Sequence, residues 1–374
     1  MADLQDEFDT TAEAGELDRP PAPAPDAPPE AGPRTAAVED EVLGKADALL
    51  AAHPVADGYS GLPWALRAQP YCDLESGESC LETDVPRLRA GGVGAQFWSL
   101  HVPADVVGDH AVSATLELLD LVRHVVARYA DDLRLARDAS EAADARNHGR
   151  VAAVVGPASA RAIGDSLGAL RSLHALGLSA LTLDGTSWAG ADGLSAFGEE
   201  VVREMNRLGV LADLSGAPEQ TARRVLGVSR APVLFTRSGA RALREHPANL
   251  GDGLLEAVGA AKGLCLVPLA AEQTGPAVRD VAEHVEHVRR VAGPECVGIS
   301  GTYDTEAAHP HGLDDASRFP RLVAELLDRG WSDAEIAALT WGNVQRALRG
   351  ADFTARAARE RREASTATIT RLDG

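Results

Sequence analysis

Residues 178–216, LSALTLDGTSWAGADGLSAFGEEVVREMNRLGVLADLSG, contain the pattern that decides the fold. The runs at 178–185 and 209–216 are short and apolar and end in turn residues, which is typical of buried strands. Between them, residues 197–209 place apolar side chains three and four positions apart, which predicts a helix. A strand, a helix and a second strand in this order form a unit whose two strands are parallel.

The same alternation continues along the chain. Apolar, β-rich runs occur at residues 55–61, 91–102, 150–158, 178–185, 209–216, 231–239, 263–270 and 295–304. Helical spacing separates most of them, for example over 113–129 and 280–293. Eight such units predict a closed (β/α)₈ barrel, or TIM barrel, in which functional residues follow the C-terminal ends of the strands. We expect strand ends near the following residues: Gly61, Val102, Pro157, Asp184, Gly216, Arg237, Leu269 and Thr302.

The rest of the chain suggests tails rather than further domains. Residues 1–38 are acidic and Pro-rich and lack the features of a secretion signal, so we predict a disordered tail, followed by one barrel domain over 39–365 and a C-terminal tail over 366–374. No apolar run is long enough to cross a bilayer, so we expect a cytoplasmic protein that does not bind membranes. The net charge of −20 disfavours binding to nucleic acids.

Five segments carry a resemblance to a known family. They are residues 83–103, 193–215, 229–243, 280–293 and 323–348. In this order they resemble the membrane (renal-type) dipeptidase family, over most of residues 55–350. The resemblance implies a barrel of the metal-dependent hydrolase type that holds two zinc ions bridged by a glutamate. It also implies hydrolysis of dipeptides by a metal-bound hydroxide.

The positions that the resemblance assigns to zinc ligands hold other residues. The family's His-x-Asp pair after the first strand falls on Tyr59 and Gly61, and its bridging glutamate falls on Ala158. Two later histidines fall on Gly216 and Arg237. Glycine, alanine and arginine supply no side-chain donor to zinc. The resemblance therefore implies a divergent member whose metal ligands have been replaced, and we predict no bound metal or other cofactor.

Further positions of the family pattern have also changed. A histidine on the oxyanion side falls on Arg161, the first acid after the last strand falls on Thr302, and the second acid is kept as Asp304. The arginine that would hold the substrate carboxylate falls on Ala248. Arginines at former ligand positions also remove the electrostatic reason for a dication to bind. We predict no catalytic residues and the following pocket residues: Tyr59, Arg161, Asp184, Arg237, Thr302 and Asp304.

Three functions remain open from the sequence. The first is a pseudoenzyme that binds a peptide-like or anionic small molecule or a protein partner, with a homodimer or heterodimer as a possible assembly. The second is a metal-independent enzyme that acts on a peptide-like or biosynthetic substrate in the same pocket. The third is a residual metallodipeptidase. The pseudoenzyme is favoured because two-metal hydrolysis depends on the missing ligands.

Histidine pairs could in principle form another metal site. His284 and His287 lie three apart in a predicted helix outside the barrel, which favours a structural or solvated pair. His309 and His311 follow the last strand, but the sequence offers no third ligand, so polar loop residues are the favoured interpretation.

Two of the four cysteines lie close together. Cys72 and Cys80 bracket a short acidic loop and could form a disulfide, bind a metal or remain thiols. Thiols are favoured because the chain has no export signal. Cys265 and Cys296 lie in apolar runs and are predicted to be buried.

Overall fold

The computed structural model describes residues 36–69, 71–79 and 81–374. All but the last three residues of the predicted N-terminal tail lie outside this part of the chain, and so does Cys80. The first described helix begins at Ala36 and runs to Ala52. The predictions for the tail and for the Cys72–Cys80 pair therefore remain predictions.

Twelve strands are found in the described residues. They are β1 (Val55–Ser60), β2 (Val93–Trp98), β3 (Leu133–Ala136), β4 (Val151–Val155), β5 (Ala158–Ser159), β6 (Ala180–Thr182), β7 (Ala189–Gly190), β8 (Gly193–Leu194), β9 (Leu211–Asp213), β10 (Leu234–Phe235), β11 (Leu264–Pro268) and β12 (Val297–Ser300).

Helices connect these strands. They are α1 (Ala36–Ala52), α2 (Leu62–Ala68), α3 (Val85–Ala90), α4 (Asp109–Arg128), α5 (Ala139–Asn147), α6 (Leu167–Leu176), α7 (Ala196–Leu208), α8 (Glu219–Val228), α9 (Asp252–Ala260), α10 (Ala271–Thr274), α11 (Val278–Ala292), α12 (Phe319–Asp328), α13 (Asp333–Ala337), α14 (Asn343–Arg361) and α15 (Ile369–Leu372). Short 3₁₀ turns lie at Ala160–Ile163 and Ala316–Arg318, and a π-helical turn lies at Ala338–Gly342. None of the described helices is long and apolar enough to cross a membrane.

Eight parallel strand positions close into a barrel. β1 pairs with β2 and β2 with β4; β4 is followed by β5, which pairs with β6, and the order then continues through β9, β10, β11 and β12. Closure comes from two backbone hydrogen bonds: Thr302 N donates to Tyr59 O at 3.0 Å, and Gly61 N donates to Tyr303 O at 2.8 Å. The predicted (β/α)₈ barrel is confirmed, and each predicted strand end lies within about four residues of an observed one.

Two strand features were not expected from the sequence. β3 pairs with the outer edge of β4 and takes no place in the barrel. Only four residues long, it includes the charged Arg134 and follows directly on α4, so local periodicity did not reveal it. The hairpin of β7 and β8 has two residues in each strand, which is too short for an alternating pattern.

Side chains fill the barrel interior, and α14 packs against the N-terminal ends of the strands. A Cβ at Gly58 or Gly298 would lie 2.9 or 2.8 Å from a side-chain carbon of Leu266, so these glycines make room for that leucine. At the N-terminal ends of the strands, Asn343 of α14 donates to the carbonyls of Pro294 and Val297 at 2.8 and 2.7 Å. A functional site is therefore expected at the C-terminal ends of the strands.

The segment predicted as a C-terminal tail contacts the barrel domain. Asp373 accepts hydrogen bonds from Ser195 Oγ at 2.6 Å and from the backbone N–H of Phe197 at 3.0 Å. Both donors lie at the start of α7, where a carboxylate is favoured by the helix dipole.

Candidate functional site

Arg237 crosses the mouth of the barrel. It follows β10, yet its guanidinium carbon lies 4.2 Å from the ring centroid of Tyr59 in β1. Because β11 and β12 separate these two strands along the barrel wall, the side chain must span the opening. Its backbone N–H is held by Ser215 Oγ at 3.0 Å. The guanidinium is thus stacked on an aromatic face, where a cation is favoured.

The Arg237 side chain lacks a polar partner among the described residues. Its Nε is buried and makes no hydrogen bond there. The ion pairs formed within 4.0 Å in this part of the chain do not include Arg237. Buried donors in folded proteins are nearly always satisfied, so an unpaired guanidinium at a barrel mouth indicates a place for an anion or an ordered water.

Beside Arg237, three polar side chains form a triangle. Ser99 Oγ lies 2.8 Å from the Tyr59 hydroxyl and 2.9 Å from His101 Nδ1, and the Tyr59 hydroxyl lies 3.3 Å from the same nitrogen. Burial, with the nearby charges of Arg237 and Arg161, lowers the pKa of His101 to about 3. His101 is therefore neutral at physiological pH and can take part in hydrogen bonds without adding charge.

Arg161 supplies a second positive charge close by. It lies in the 3₁₀ turn after β5, and its Nη1 donates to the carbonyl of Ala104 at 2.6 Å. No carboxylate of the described residues lies within 4.0 Å of it. Its charge and that of Arg237 both lower the pKa of His101, so both arginines lie in the neighbourhood of this ring.

Asp184 is the acid on the Arg161 side of the mouth. Burial raises its pKa, and the charge of Arg161 acts in the opposite direction. A Cβ at Gly216 would lie 3.8 Å from Asp184 Oδ2, so this carboxylate lies next to a former ligand position. The structure thus groups Tyr59, Arg161 and Arg237 around His101, with Asp184 nearby.

Thr302 and Asp304, also predicted as pocket residues, are bonded elsewhere. Thr302 Oγ1 donates to the carbonyl of Gly301 at 2.6 Å. Asp304 Oδ1 accepts from the backbone N–H of Glu82 at 2.8 Å, and its own N–H donates to Glu82 Oε2 at 2.6 Å. These contacts fix the chain after β12 to residues 81–84 and do not reach the arginines.

A buried acidic network joins the first and last strands. Asp57 accepts from Gly301 N at 2.6 Å and from Gln96 Nε2 at 2.8 Å, and burial raises its pKa to about 6. Burial raises the pKa of Asp304 to about 7. His309 contacts Glu82 Oε2 at 3.1 Å; although burial lowers its pKa, this contact brings the net value above the usual one. These contacts connect β1 and β2 to the chain after β12.

Replacing Asp304 with asparagine is expected to change how stability depends on pH. The carboxyl ionises near pH 4 in an unfolded chain and near 7 in the folded one. The folded state therefore keeps its proton between these values, so stability falls as pH rises through this window and levels off above it. D304N should match the wild type near pH 4 and exceed it by up to about 4 kcal/mol at pH 8.

Urea denaturation at both pH values measures this difference. D314N, which removes the carboxylate of an exposed aspartate in the same loop, provides the control. Equal pH dependence in D304N and the wild type would show that Asp304 does not titrate in this window.

The residues at the positions that the resemblance assigns to zinc ligands do not fit zinc. A side chain at Gly61 would clash with the backbone carbonyl oxygen of Asp304, and Ala158 is fully buried in strand pairing. Gly216 has φ of 81° and no side chain, and Arg237 places a cation there. Within the described ranges no group of three His, Cys, Asp or Glu side chains is arranged to hold a metal ion. Zinc requires three or four such donors, and these positions do not provide them.

The histidine pair on α11 has a structural role. His284 Nδ1 accepts from the backbone N–H of Ala240 at 2.9 Å. His287 Nε2 lies 2.7 Å from Asp252 Oδ1. Both rings are buried against neighbouring elements, which agrees with the structural alternative of the sequence prediction.

Sequence reasoning missed Ser99 and His101. Both follow β2, in the run FWSLHV at residues 97–102, so the rule that functional residues follow strand ends would have selected them. The family pattern assigns no zinc ligand to this strand, so the replaced ligands do not point to Ser99 or His101.

Comparison with known proteins gives consistent matches. A family profile described as "Membrane dipeptidase (Peptidase family M19)" matches residues 43–362. "Dipeptidase 3" of Macaca fascicularis is 36% identical over 335 residues, which cover 83% of this chain and 68% of that protein. "Dipeptidase verJ" of Clonostachys rogersoniana is 36% identical over 340 residues, which cover 83% of this chain and 88% of that protein.

A solved structure supports the fold. A metallo peptidase from Rhodobacter sphaeroides, liganded with a phosphinate mimic of the dipeptide L-Ala-D-Ala, superposes with a TM-score of 0.74 at 23% identity. The match covers 79% of this chain and 99% of that one. The similarity in fold therefore extends over most of this chain.

Proposed function

The chain belongs to the membrane dipeptidase family, peptidase family M19, and from this premise we propose that it binds an anionic, peptide-like ligand at the barrel mouth without zinc and without hydrolysing it. In this role it is a pseudoenzyme: the family barrel is kept, and the positive charge that would attract a ligand comes from arginine.

One observation carries the proposal, namely the unpaired guanidinium of Arg237 above the Tyr59 ring. A guanidinium can donate two parallel hydrogen bonds to a carboxylate, and such pairs are among the strongest in proteins. Arg161 adds a second charge near the same point. A carboxylate that enters the mouth would thus satisfy a buried donor and neutralise positive charge.

The donor set argues against zinc-dependent hydrolysis. Two-metal hydrolysis requires ligands that hold both ions and a bridging group. Ala158 stands at the position of the bridging glutamate, and Gly216 stands at that of a histidine. The guanidinium of Arg237 would also repel a dication at this place.

A metal-independent enzyme is the second candidate, because Ser99 Oγ lies 2.9 Å from His101 Nδ1. A serine beside a histidine is the usual start of an activated nucleophile. Two observations disfavour it. A histidine with a pKa of about 3 is a weak base at neutral pH, and the serine hydroxyl is also bonded to Tyr59.

Calorimetric titration with a matched ligand pair tests the proposal and the alternative together. N-acetyl-alanyl-alanine has a free carboxylate, and its C-terminal amide does not. We expect saturable binding of the acid, at least tenfold weaker binding of the amide, and an intact ligand afterwards by mass spectrometry. Equal affinity for both would contradict carboxylate recognition. Cleavage that persists in EDTA and is lost in S99A would establish the enzyme instead.

Chelation is expected to leave thermal stability unchanged. A metal that binds only the folded state raises the melting temperature, and its removal lowers it. Since we propose that the mouth holds no zinc, EDTA should shift the melting temperature by less than about 1 °C, which is well below the effect expected for a metal that contributes several kcal/mol. Differential scanning fluorimetry with and without EDTA measures this shift. A reproducible drop of several degrees would show that a structural metal is bound.

A further inference from the structure

A second site lies on the outside of the barrel, away from the mouth. Helices α7, α8 and α14 enclose a groove of about 630 Å³. Its apolar part includes Val228, Ala357 and Phe353, and the Phe353 side chain is 68% exposed. Large apolar side chains that remain exposed in a groove are typical of a binding surface.

Arginines surround this apolar part. Arg203, Arg224, Arg230, Arg361 and Arg362 line the groove. Three of them pair with glutamates of α7: Arg203 with Glu199 and Glu200, Arg224 with Glu199, and Arg362 with Glu200.

The other two arginines have no carboxylate partner in the described part of the chain. Arg230 and Arg361 are exposed, and neither takes part in an ion pair with a described residue. The groove therefore combines an apolar floor with excess positive charge, on a chain whose net charge is −20. An acidic peptide with a few apolar side chains is the chemistry that fits such a surface.

The chain itself contains such a peptide. Residues 1–35 include nine acidic residues and two arginines, a net charge of −7. Within them, Leu4 and Phe8 lie in the run DLQDEFD at residues 3–9, which holds four carboxylates. An apolar side chain every few residues among acids matches a groove with an apolar floor and a basic rim.

The length of this segment is sufficient. Extended, its 35 residues span up to about 115 Å, whereas a folded domain of this size has a radius of gyration of about 20 Å. The segment ends at α1, which is packed on the barrel, so its local concentration at the groove is high even if its intrinsic affinity is low.

We propose that the groove formed by α7, α8 and α14 is the docking site of the chain's own acidic N-terminal segment, residues 1–35. The carboxylates of this segment pair with Arg230 and Arg361, and its apolar side chains cover Phe353. This contact is separate from ligand binding at the barrel mouth, so either can fail without the other.

A competition experiment on the full-length chain tests the docking. The probe is a fluorescent synthetic peptide of residues 1–35, measured by anisotropy at low salt. In the variant D3N/D6N/E7Q/D9N, the chain's own N-terminal segment should bind the groove more weakly. The added peptide should therefore bind this variant at least tenfold more tightly than it binds the wild type. Adding R230E/R361E to this variant should abolish peptide binding, and 0.5 M NaCl should weaken it. The double change R123E/R128E on α4 is the matched control and should have no effect.

Other outcomes would overturn the proposal. Peptide binding that survives R230E/R361E, or no peptide binding to the neutralised variant, excludes this groove. A dimer in light scattering that persists in the neutralised variant and dissociates in R230E/R361E would mean that the groove holds a second copy of the chain. If R230E/R361E does not fold by circular dichroism, the single change R361Q replaces it and should still weaken peptide binding at least threefold.

Discussion

Replacing Arg237 with alanine is expected to weaken binding of the carboxylate ligand by about 100-fold. A charged, bidentate hydrogen bond contributes on the order of 3 kcal/mol, and this corresponds to about two decades in the dissociation constant. Arg161 is held by the carbonyl of Ala104 and by Ser159 Oγ, and His101 is neutral, so neither can take over the bidentate contact of Arg237, although the charge of Arg161 remains. Calorimetric titration of R237A with N-acetyl-alanyl-alanine measures the loss.

The same variant should remain folded. Its side chain makes no ion pair with a described residue, and the contact with Tyr59 contributes only about 1 kcal/mol. R237K serves as the matched variant, because lysine keeps the positive charge but cannot donate the two parallel hydrogen bonds of a planar guanidinium. This variant should bind with intermediate affinity. An R237A protein that binds as tightly as the wild type would contradict the assigned role. A loss of 3 kcal/mol or more in the free energy of unfolding would assign the arginine to stability instead.

Placing an aspartate at position 61, where the family pattern has a zinc ligand, is expected to destabilise the barrel strongly. Any side chain there would clash with the carbonyl oxygen of Asp304, at the seam where β1 meets the chain after β12. Overpacking against backbone that cannot move freely costs about 3 kcal/mol, and we expect G61D to lower the melting temperature by roughly 4 °C, because a domain of this size unfolds with a large entropy change.

The matched control for G61D is G227A in α8. A Cβ at Gly227 meets no atom within 4 Å, so alanine there should be neutral or stabilise the helix by up to about 1 kcal/mol. Thermal unfolding of G61A, G61D and G227A separates the clash from the added charge, because G61A should account for most of the loss. A G61D protein as stable as the wild type would mean that the seam can open to accept a ligand side chain.

The sequence predicts the barrel well because buried apolar residues recur at regular spacing in each strand–helix unit. The runs that became β1, β6 and β11 are short and apolar, and the helices between them alternate buried and exposed faces. β3 leaves little trace, because it lies at the edge of β4 and includes the charged Arg134. The spacing of apolar residues indicates which residues are buried. It does not indicate with which strand of the sheet a short strand pairs.

The site could be predicted only in part. The sequence assigns Tyr59, Arg161 and Arg237 to the mouth, because the position of a residue along a barrel strand determines the end of the barrel at which it lies. The direction of each side chain could not be predicted in this way, because it depends on contacts with residues of other strands. The stacking of Arg237 on Tyr59 and the turn of Asp304 toward Glu82 required the closed barrel.

The central claim is that the barrel mouth recognises a carboxylate through arginine in place of zinc. Titration of the wild-type protein with N-acetyl-alanyl-alanine, once in excess EDTA and once with added zinc, tests it most directly. We predict the same saturable affinity in both conditions, with no hydrolysis. Binding or hydrolysis that occurs only when zinc is added would contradict the claim.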